Sequence, residues 1–144
     1  MNFLKNKIIL ITGGTGTFGK EITKFILDNI KVKKLIILSR DENKQYEMSK
    51  KYLNNKQIRF FIGDVRDENR LMTAFRGVDY VFHAAAMKHV PASEYNPIEC
   101  IKTNIDGSES VINAAIERKV KKVMIMSTTI LIEMDNRAKA QHIL

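Results

Sequence analysis

Eight residues near the start of the chain, Thr12-Gly13-Gly14-Thr15-Gly16-Thr17-Phe18-Gly19, have the types and spacing of a loop that cradles an anion. Glycine lacks a Cβ, so such a loop turns sharply and brings its backbone close to a pyrophosphate. The N–H groups at the start of the following helix, with the positive end of its dipole, then face the charge. Gly19, the last glycine of the G-x-G-x-x-G pattern, lets that helix pack tightly on the preceding strand. The pattern alone is weak; it gains specificity between a strand and a helix inside a βαβ unit. Gly13, Thr15, Gly16, Thr17, Phe18 and Gly19 are the first candidate contact residues.

About twenty residues on, a dinucleotide site distinguishes its ligands by placing an acidic side chain at a ribose hydroxyl or a basic one at a 2′-phosphate. Here the chain reads Ser39-Arg40-Asp41-Glu42-Asn43-Lys44-Gln45. Arg40 takes the key place and Lys44 follows one helical turn later on the same face. A guanidinium pairs well with phosphate, which favours NADP over NAD. Asp41 argues mildly the other way but is also a natural helix cap. Asp64-Val65 follows at a strand end, where the carboxylate would accept from an adenine amino group and the valine would lie against the ring; a plain strand-end turn is the alternative. Ala84-Ala85-Ala86 offers small side chains where a flat cofactor needs room, and would serve equally as core filler. Lys88 suits an anionic ligand or a solvated loop. Asn104, with Asp106-Gly107 just beyond, sits in a helical pattern it disfavours, as happens at a functional site or a kink.

These residues need a scaffold, and the hydrophobic pattern supplies one. Short β-branched runs at 7–12, 34–39, 58–62, 80–83 and 123–127 read as strands buried on both faces. Helical patterns intervene. One opens at the glycine loop, with Phe18, Ile22, Phe25 and Ile26 on one face. Asp41 caps a second through residue 52, and Asp67 caps a third through Phe75. Asn96-Pro97 opens the longest, with Ile98, Ile101, Ile105, Ile112 and Ile116 as its expected buried stripe. Strand and helix in alternation imply parallel strands with right-handed crossovers, an α/β doubly wound sheet of about five strands.

Length and composition agree. The chain has 144 residues, 44% hydrophobic and 28% charged, which is one globular domain. No apolar run is long enough for a signal core or a membrane span. The lone Cys100 forms no internal disulfide and fits a reducing, cytoplasmic setting. His83, His89 and His142 lack metal-ligand spacing, so no metal is expected. The net charge of +8 comes from dispersed lysines without interleaved aromatics. It fits a solvated face or an anionic small ligand better than nucleic acid.

Taken together, residues 12–19, Asp64-Val65 and the alanine run resemble the extended short-chain dehydrogenase/reductase superfamily, whose NADP domain is Rossmann-type. More specific are Ala84-Ala85-Ala86-Met87-Lys88-His89-Val90-Pro91, Glu94-Tyr95-Asn96-Pro97 and Glu99-Cys100-Ile101-Lys102-Thr103-Asn104. They resemble the polysaccharide-biosynthesis branch, nearest to configuration-inverting UDP-N-acetylglucosamine 4,6-dehydratases of pseudaminic acid synthesis. The resemblance implies NADP along residues 15–18, Arg40, Asp41, Glu42, Asn43, Lys44, Gln45, Asp64, Val65 and Ala84, with Met126 and Ser127 below the nicotinamide. It implies that Lys88 contacts the nucleotide-sugar substrate and that Asn104 orders the active-site helix. Such enzymes oxidise the sugar at C4, eliminate water across C5 and C6, and return hydride to C6.

The resemblance covers residues 1–128, the expected NADP-binding domain, and stops at a divergent tail, 129–144. The Asp-Lys pair and Tyr-x-x-x-Lys motif of the family have no counterpart after Ser127-Thr128, so no catalytic acid or base is assigned. The expectation is the NADP-binding N-terminal portion of a nucleotide-sugar dehydratase, inactive alone. The alternative is a free-standing NADP-binding module, or a subunit needing a partner half. Residues 128–134 are apolar enough to extend the fifth strand or cover its edge, and 135–144 look helix-compatible. An uncovered edge there would favour homo-oligomers or other association.

Overall fold

A computed structural model describes residues 2–85, 98, 102–126, 131–135 and 141–143. The β-branched runs form strands β1 (Ile8–Thr12), β2 (Lys34–Ser39), β3 (Ile58–Ile62), β4 (Tyr80–His83) and β5 (Lys122–Met126). All five pair in parallel, in the order β3-β2-β1-β4-β5. The chain builds outward from β1 to β3, then restarts on the other side of β1 with β4. The sheet therefore has a topological switch point between β1 and β4, at whose carboxyl end open α/β sheets bind ligands.

Helices α1 (Thr17–Asn29), α2 (Glu42–Lys50), α3 (Glu68–Ala74) and α4 (Gly107–Glu117) cover the two faces. Alternate strand residues separate the core in two, because side chains on a strand point to opposite faces. Ile9, Ile11, Leu35 and Ile37 pack with Ile26 and Met48 on the α1–α2 face. Leu10, Leu38, Val81 and Val123 pack with Leu71, Phe75, Val111 and Ala114 on the α3–α4 face. Each of these Val, Leu, Ile, Phe and Met side chains contributes about 1.5–3 kcal/mol on burial. As expected, Asp41 and Asp67 cap their helices, accepting from the N–H of Lys44 and of Arg70, each at 3.0 Å. No helix among the described residues is long and apolar enough to cross a membrane.

Two expectations are corrected. Most of the isoleucine stripe of the last helix is not its buried face: Ile98, Ile105 and Ile116 are exposed, and Ile112 alone among the described ones packs, half-buried, against the core. Gly107, Ser110, Val111, Ala114 and Ala115 face the sheet instead. Small residues let the helix approach closely, and a Cβ on Gly107 would lie 2.8 Å from Val65 Cγ2. Ile101 falls outside the described residues. The tail is also not helical where it is described. Strand β6 (Leu131–Asp135) pairs antiparallel with β5, and β7 (Gln141–Ile143) pairs antiparallel with β6. The β5 edge is therefore covered, so association through an open β5 edge loses its basis. An apolar segment next to unpaired strand groups satisfies them by hydrogen bonding in the sheet.

Candidate functional site

The strand-to-helix turn after β1 is shaped by its glycines. Gly13 has φ +64°, where a side chain is strained, and a Cβ there would lie 2.7 Å from Ala85 Cα and 2.8 Å from the Ala84 carbonyl. The end of β4 thus crosses directly over the turn. On the other side a Cβ at Gly19 would stand 2.5 Å from the Gly13 carbonyl oxygen and from Gly14 Cα. The Gly14 N–H donates to the Leu38 carbonyl, tying the turn to β2, and the Gly16 N–H donates to the Gly13 carbonyl at 3.1 Å. Gly16 is the N-cap of α1, and no side chain caps that helix.

Around this turn lies a cleft of about 310 Å³. Its floor is Gly13, Thr15 and Gly16. One side is the tip of β2 with Arg40, Asp41 and Lys44 and, beside it, Gly63, Asp64 and Val65 after β3; Ala84 and Ala85 after β4 stand on the other side of the turn. Glycine turn, basic rim and small residues are brought together at the switch point. Thr17 and Phe18 form the first turn of α1. Met126 ends β5, half-buried, and Asn104 lies in a π-helical turn, Lys102–Asp106, that leads into α4. Lys88 and Ser127 fall outside the described residues.

Three residues stand differently from their sequence reading. Gln45 is buried behind the rim, with its amide nitrogen donating to the Phe61 carbonyl at 2.8 Å and to Ser39 Oγ at 3.0 Å. It locks α2 to the tips of β2 and β3. Glu42 and Asn43 are exposed on the first turn of α2, outside the cleft wall.

The rim carries a charge network that includes a residue not singled out from sequence, Arg66. Its guanidinium grips the Asp64 carboxylate at 2.8 Å and 3.1 Å, and its backbone N–H donates to the same group at 2.9 Å. The hydrogen bond from Arg66 holds the Asp64 carboxyl below its ordinary range, against the opposing pull of partial burial. Arg40 stands 3.9 Å from the same carboxylate with 58% of its side chain exposed, so its charge remains turned to the cleft mouth. The signal for Arg66 was local: an Asp followed two residues later by a donor is the Asx-turn pattern.

The family model described as polysaccharide biosynthesis protein matches residues 9–136. A Campylobacter jejuni UDP-N-acetylglucosamine 4,6-dehydratase (inverting) is 62% identical over 122 residues, which is 85% of this chain and 36% of that protein. A Rickettsia prowazekii UDP-glucose 4-epimerase is 49% identical over 126 residues, 85% of this chain and 37% of its own length. Among solved structures, Pen from Bacillus thuringiensis superposes with a TM-score of 0.84 at 48% identity, covering 87% of this chain and 40% of that one. A double mutant of a Streptomyces venezuelae dTDP-glucose 4,6-dehydratase, solved with NAD, gives a TM-score of 0.71 at 26% identity, with 80% and 37% covered. The chain spans little more than a third of the length of the curated relatives it matches.

Proposed function

Because the chain belongs to the polysaccharide-biosynthesis branch of the extended short-chain dehydrogenase/reductase superfamily, we propose that its cleft holds the nicotinamide dinucleotide of a nucleotide-sugar 4,6-dehydratase, with NADP preferred to NAD. The observation that carries this reading is the start of α1. A helix that begins at a glycine cap with no side-chain cap, beneath a turn too tight for any Cβ, lets a bridging pyrophosphate come close to the positive end of its dipole. Arg40 and Lys44 at the rim would take the 2′-phosphate, with Asp41 beside them.

Bound there, the nicotinamide would accept a hydride from the sugar and later return it. This chain's own residues do the binding and orienting. Gly13 and Gly16 admit the phosphates. Thr15, Thr17, Phe18 and Gly19 complete the first turn around them. Asp64, preset by Arg66, and Val65 flank the adenine end, and Ala84 leaves space between the strand tips. Gln45 holds the rim from behind, and Glu42 and Asn43 give the α2 start an acidic and polar outer face. Met126 and Ser127 would lie below the nicotinamide, with Lys88 and Asn104 on the substrate side. In this proposal the substrate is UDP-N-acetylglucosamine. Residues 1–128 are the cofactor domain, and the acid–base groups of the sugar chemistry are not among the 144 residues. The epimerase relative favours a second reading, in which the same half serves a sugar epimerase.

The test is a thermal titration with NADP and with NAD. A ligand that binds only the folded state at a hundred times its Kd stabilises it by about 2.7 kcal/mol. The reading expects NADP to raise the melting temperature at lower concentration than NAD. No shift with either would overturn it. An equal shift with both would leave the dinucleotide site standing and remove the 2′-phosphate role of Arg40.

A further inference from the structure

His83, the last residue of β4, is 2% exposed and plays no part in the cofactor contacts above. Both of its ring nitrogens meet a hydroxyl. Nδ1 lies 2.6 Å from Thr12 Oγ1, and Nε2 lies 3.2 Å from Ser108 Oγ. The Ser108 hydroxyl in turn donates to the Asn104 carbonyl at 2.6 Å. Counting protons gives this chain a direction. A hydroxyl has one hydrogen. That of Ser108 is engaged by Asn104, so its oxygen can only accept from the ring, and Nε2 must carry the proton. Burial pushes the imidazole down to about 4, so at neutral pH it has a single N–H. Nδ1 is therefore an acceptor, and the Thr12 hydroxyl donates to it.

The chain runs from Thr12 through His83 and Ser108 to Asn104. Its ends are informative. Thr12 immediately precedes Gly13, the residue at φ +64°. Asn104 lies in the π-helical turn, a rare local form that occurs frequently at functional sites. An imidazole is rigid, so the span between the two hydroxyls is fixed, and a doubly bonded buried ring has one allowed orientation.

We propose that His83 is a positioning residue: a neutral, Nε2-protonated strut that sets the π turn carrying Asn104 against the end of β1 and the glycine turn. The assignment rests on contacts within the chain, so a cleft that binds no nucleotide leaves it standing.

The test is nitrogen-15 NMR of the full chain at pH 7, first with no substitution. Two-bond couplings separate a protonated ring nitrogen from a bare one. The expected spectrum shows His83 as one neutral species protonated at Nε2. An Nδ1–H tautomer, a mixture of tautomers or an imidazolium would overturn the proposal. Two variants then read the strut's arms separately. His83→Asn keeps an acceptor near the Nδ1 position and loses the donor to Ser108. It should shift the amide resonances of residues 104–109 and leave those of Gly13 and Gly14 in place. His83→Gln keeps a donor near the Nε2 position and should do the reverse. Identical shifts in both variants, or unmoved 104–109 resonances in His83→Asn, would mean general packing rather than a strut. If either variant fails to fold, the unsubstituted tautomer decides, supported by Ser108→Ala. That change keeps the ring and should move its Nε2–H resonance.

Discussion

Helices α1 and α2 start at the same carboxyl edge of the sheet, after neighbouring parallel strands, yet their first turns are finished in opposite ways. At α2 the Asp41 carboxylate accepts from the Lys44 N–H, and α3 repeats the arrangement with Asp67 and Arg70. At α1 the cap is Gly16, in extended backbone with φ −74°, and no side chain reaches the helix. A side-chain cap contributes about 1 kcal/mol. The chain takes that contribution at α2 and α3 and forgoes it at α4, which continues a π-helical turn, and at α1, where the turn is also packed too closely for a Cβ at Gly13 or Gly19. A helix start closed by a side chain is architecture; one with a bare glycine cap beside basic side chains suits the anion proposed for it.

The harshest way to break this contrast is Gly13→Ala. The positive φ costs a side chain about 1–2 kcal/mol. The methyl would also meet Ala84 and Ala85 backbone at 2.7–2.8 Å, and overpacking of that kind costs about 1–3 kcal/mol. The sum is a large share of the ~5–15 kcal/mol that holds a domain together. A urea midpoint should fall accordingly, and NADP should no longer stabilise whatever folds. Full NADP binding by a well-folded Gly13→Ala chain would show that the tight turn is incidental.

A sharper instrument is Gly16→Asp, which gives α1 the cap that α2 has. The backbone there is already extended, and a Cβ would meet only the Gly13 carbonyl oxygen at 3.3 Å. Replacing a glycine cap with aspartate changes stability by only a few tenths of a kcal/mol. The melting temperature without ligand should therefore hardly move. Nucleotide binding should fall about 100-fold, equivalent to ~2.7 kcal/mol, because a carboxylate now occupies the anion's place. Isothermal titration with NADP reads it. Retained affinity would mean that phosphates do not use this helix start.

Much of this contrast was legible in the sequence, and the reasons are local. Strands at 34–39, 58–62 and 80–83 coincide with the observed elements because β-branched runs bounded by turns leave little freedom. Asp41 and Asp67 were readable as caps, since a cap needs only its own side chain and the next turn. Arg40 and Lys44 were readable because their place is set by distance from the glycine turn. What escaped depended on partners far along the chain. The isoleucines from 98 to 116 suggested a buried stripe, yet only Ile112 among the described ones packs on the core, and glycine, serine and alanine are buried because helix and β3–α3 connection come within van der Waals distance at Gly107 and Val65. Periodicity reports two faces without saying which one is covered. The bond between Thr12 and His83 joins residues 71 apart, and that between His83 and Ser108 joins residues 25 apart. No local pattern announces either. Gln45, read as a contact residue, is instead an internal lock on Ser39 and Phe61.

The next prediction tests the side-chain half of the site rather than its backbone half. Arg40→Ala removes the exposed cation at the cleft mouth, whose 3.9 Å approach to Asp64 is worth little to the fold. A hydrogen bond to a charged group contributes about 1.5–3 kcal/mol. NADP affinity should therefore fall by a factor of roughly 10 to 100, while NAD affinity and the urea midpoint stay where they were. A parallel loss of both ligands would place Arg40 on the pyrophosphate rather than on the 2′-phosphate. That would move the specificity question to Lys44.

The smallest effect belongs to Asp67→Ala, and it isolates what a cap does when it is only a cap. Asp67 accepts from the Arg70 N–H at the start of α3, and it does not line the cleft. Its removal leaves that N–H to water, since the helix start is exposed, so the loss should be about 1 kcal/mol. In a chain of this size that corresponds to a fall of roughly 4 °C in melting temperature. The additional stabilisation given by saturating NADP should be unchanged, because the α1 start and the rim at Arg40 are untouched. Gly16→Asp and Asp67→Ala then form a crossed pair: the first should alter ligand response without altering stability, and the second should do the opposite. If Asp67→Ala reduced the NADP response as much as Gly16→Asp does, the three helix starts would be acting as one coupled edge. The distinction between a capped start that builds the fold and an open start that takes the anion would then fail.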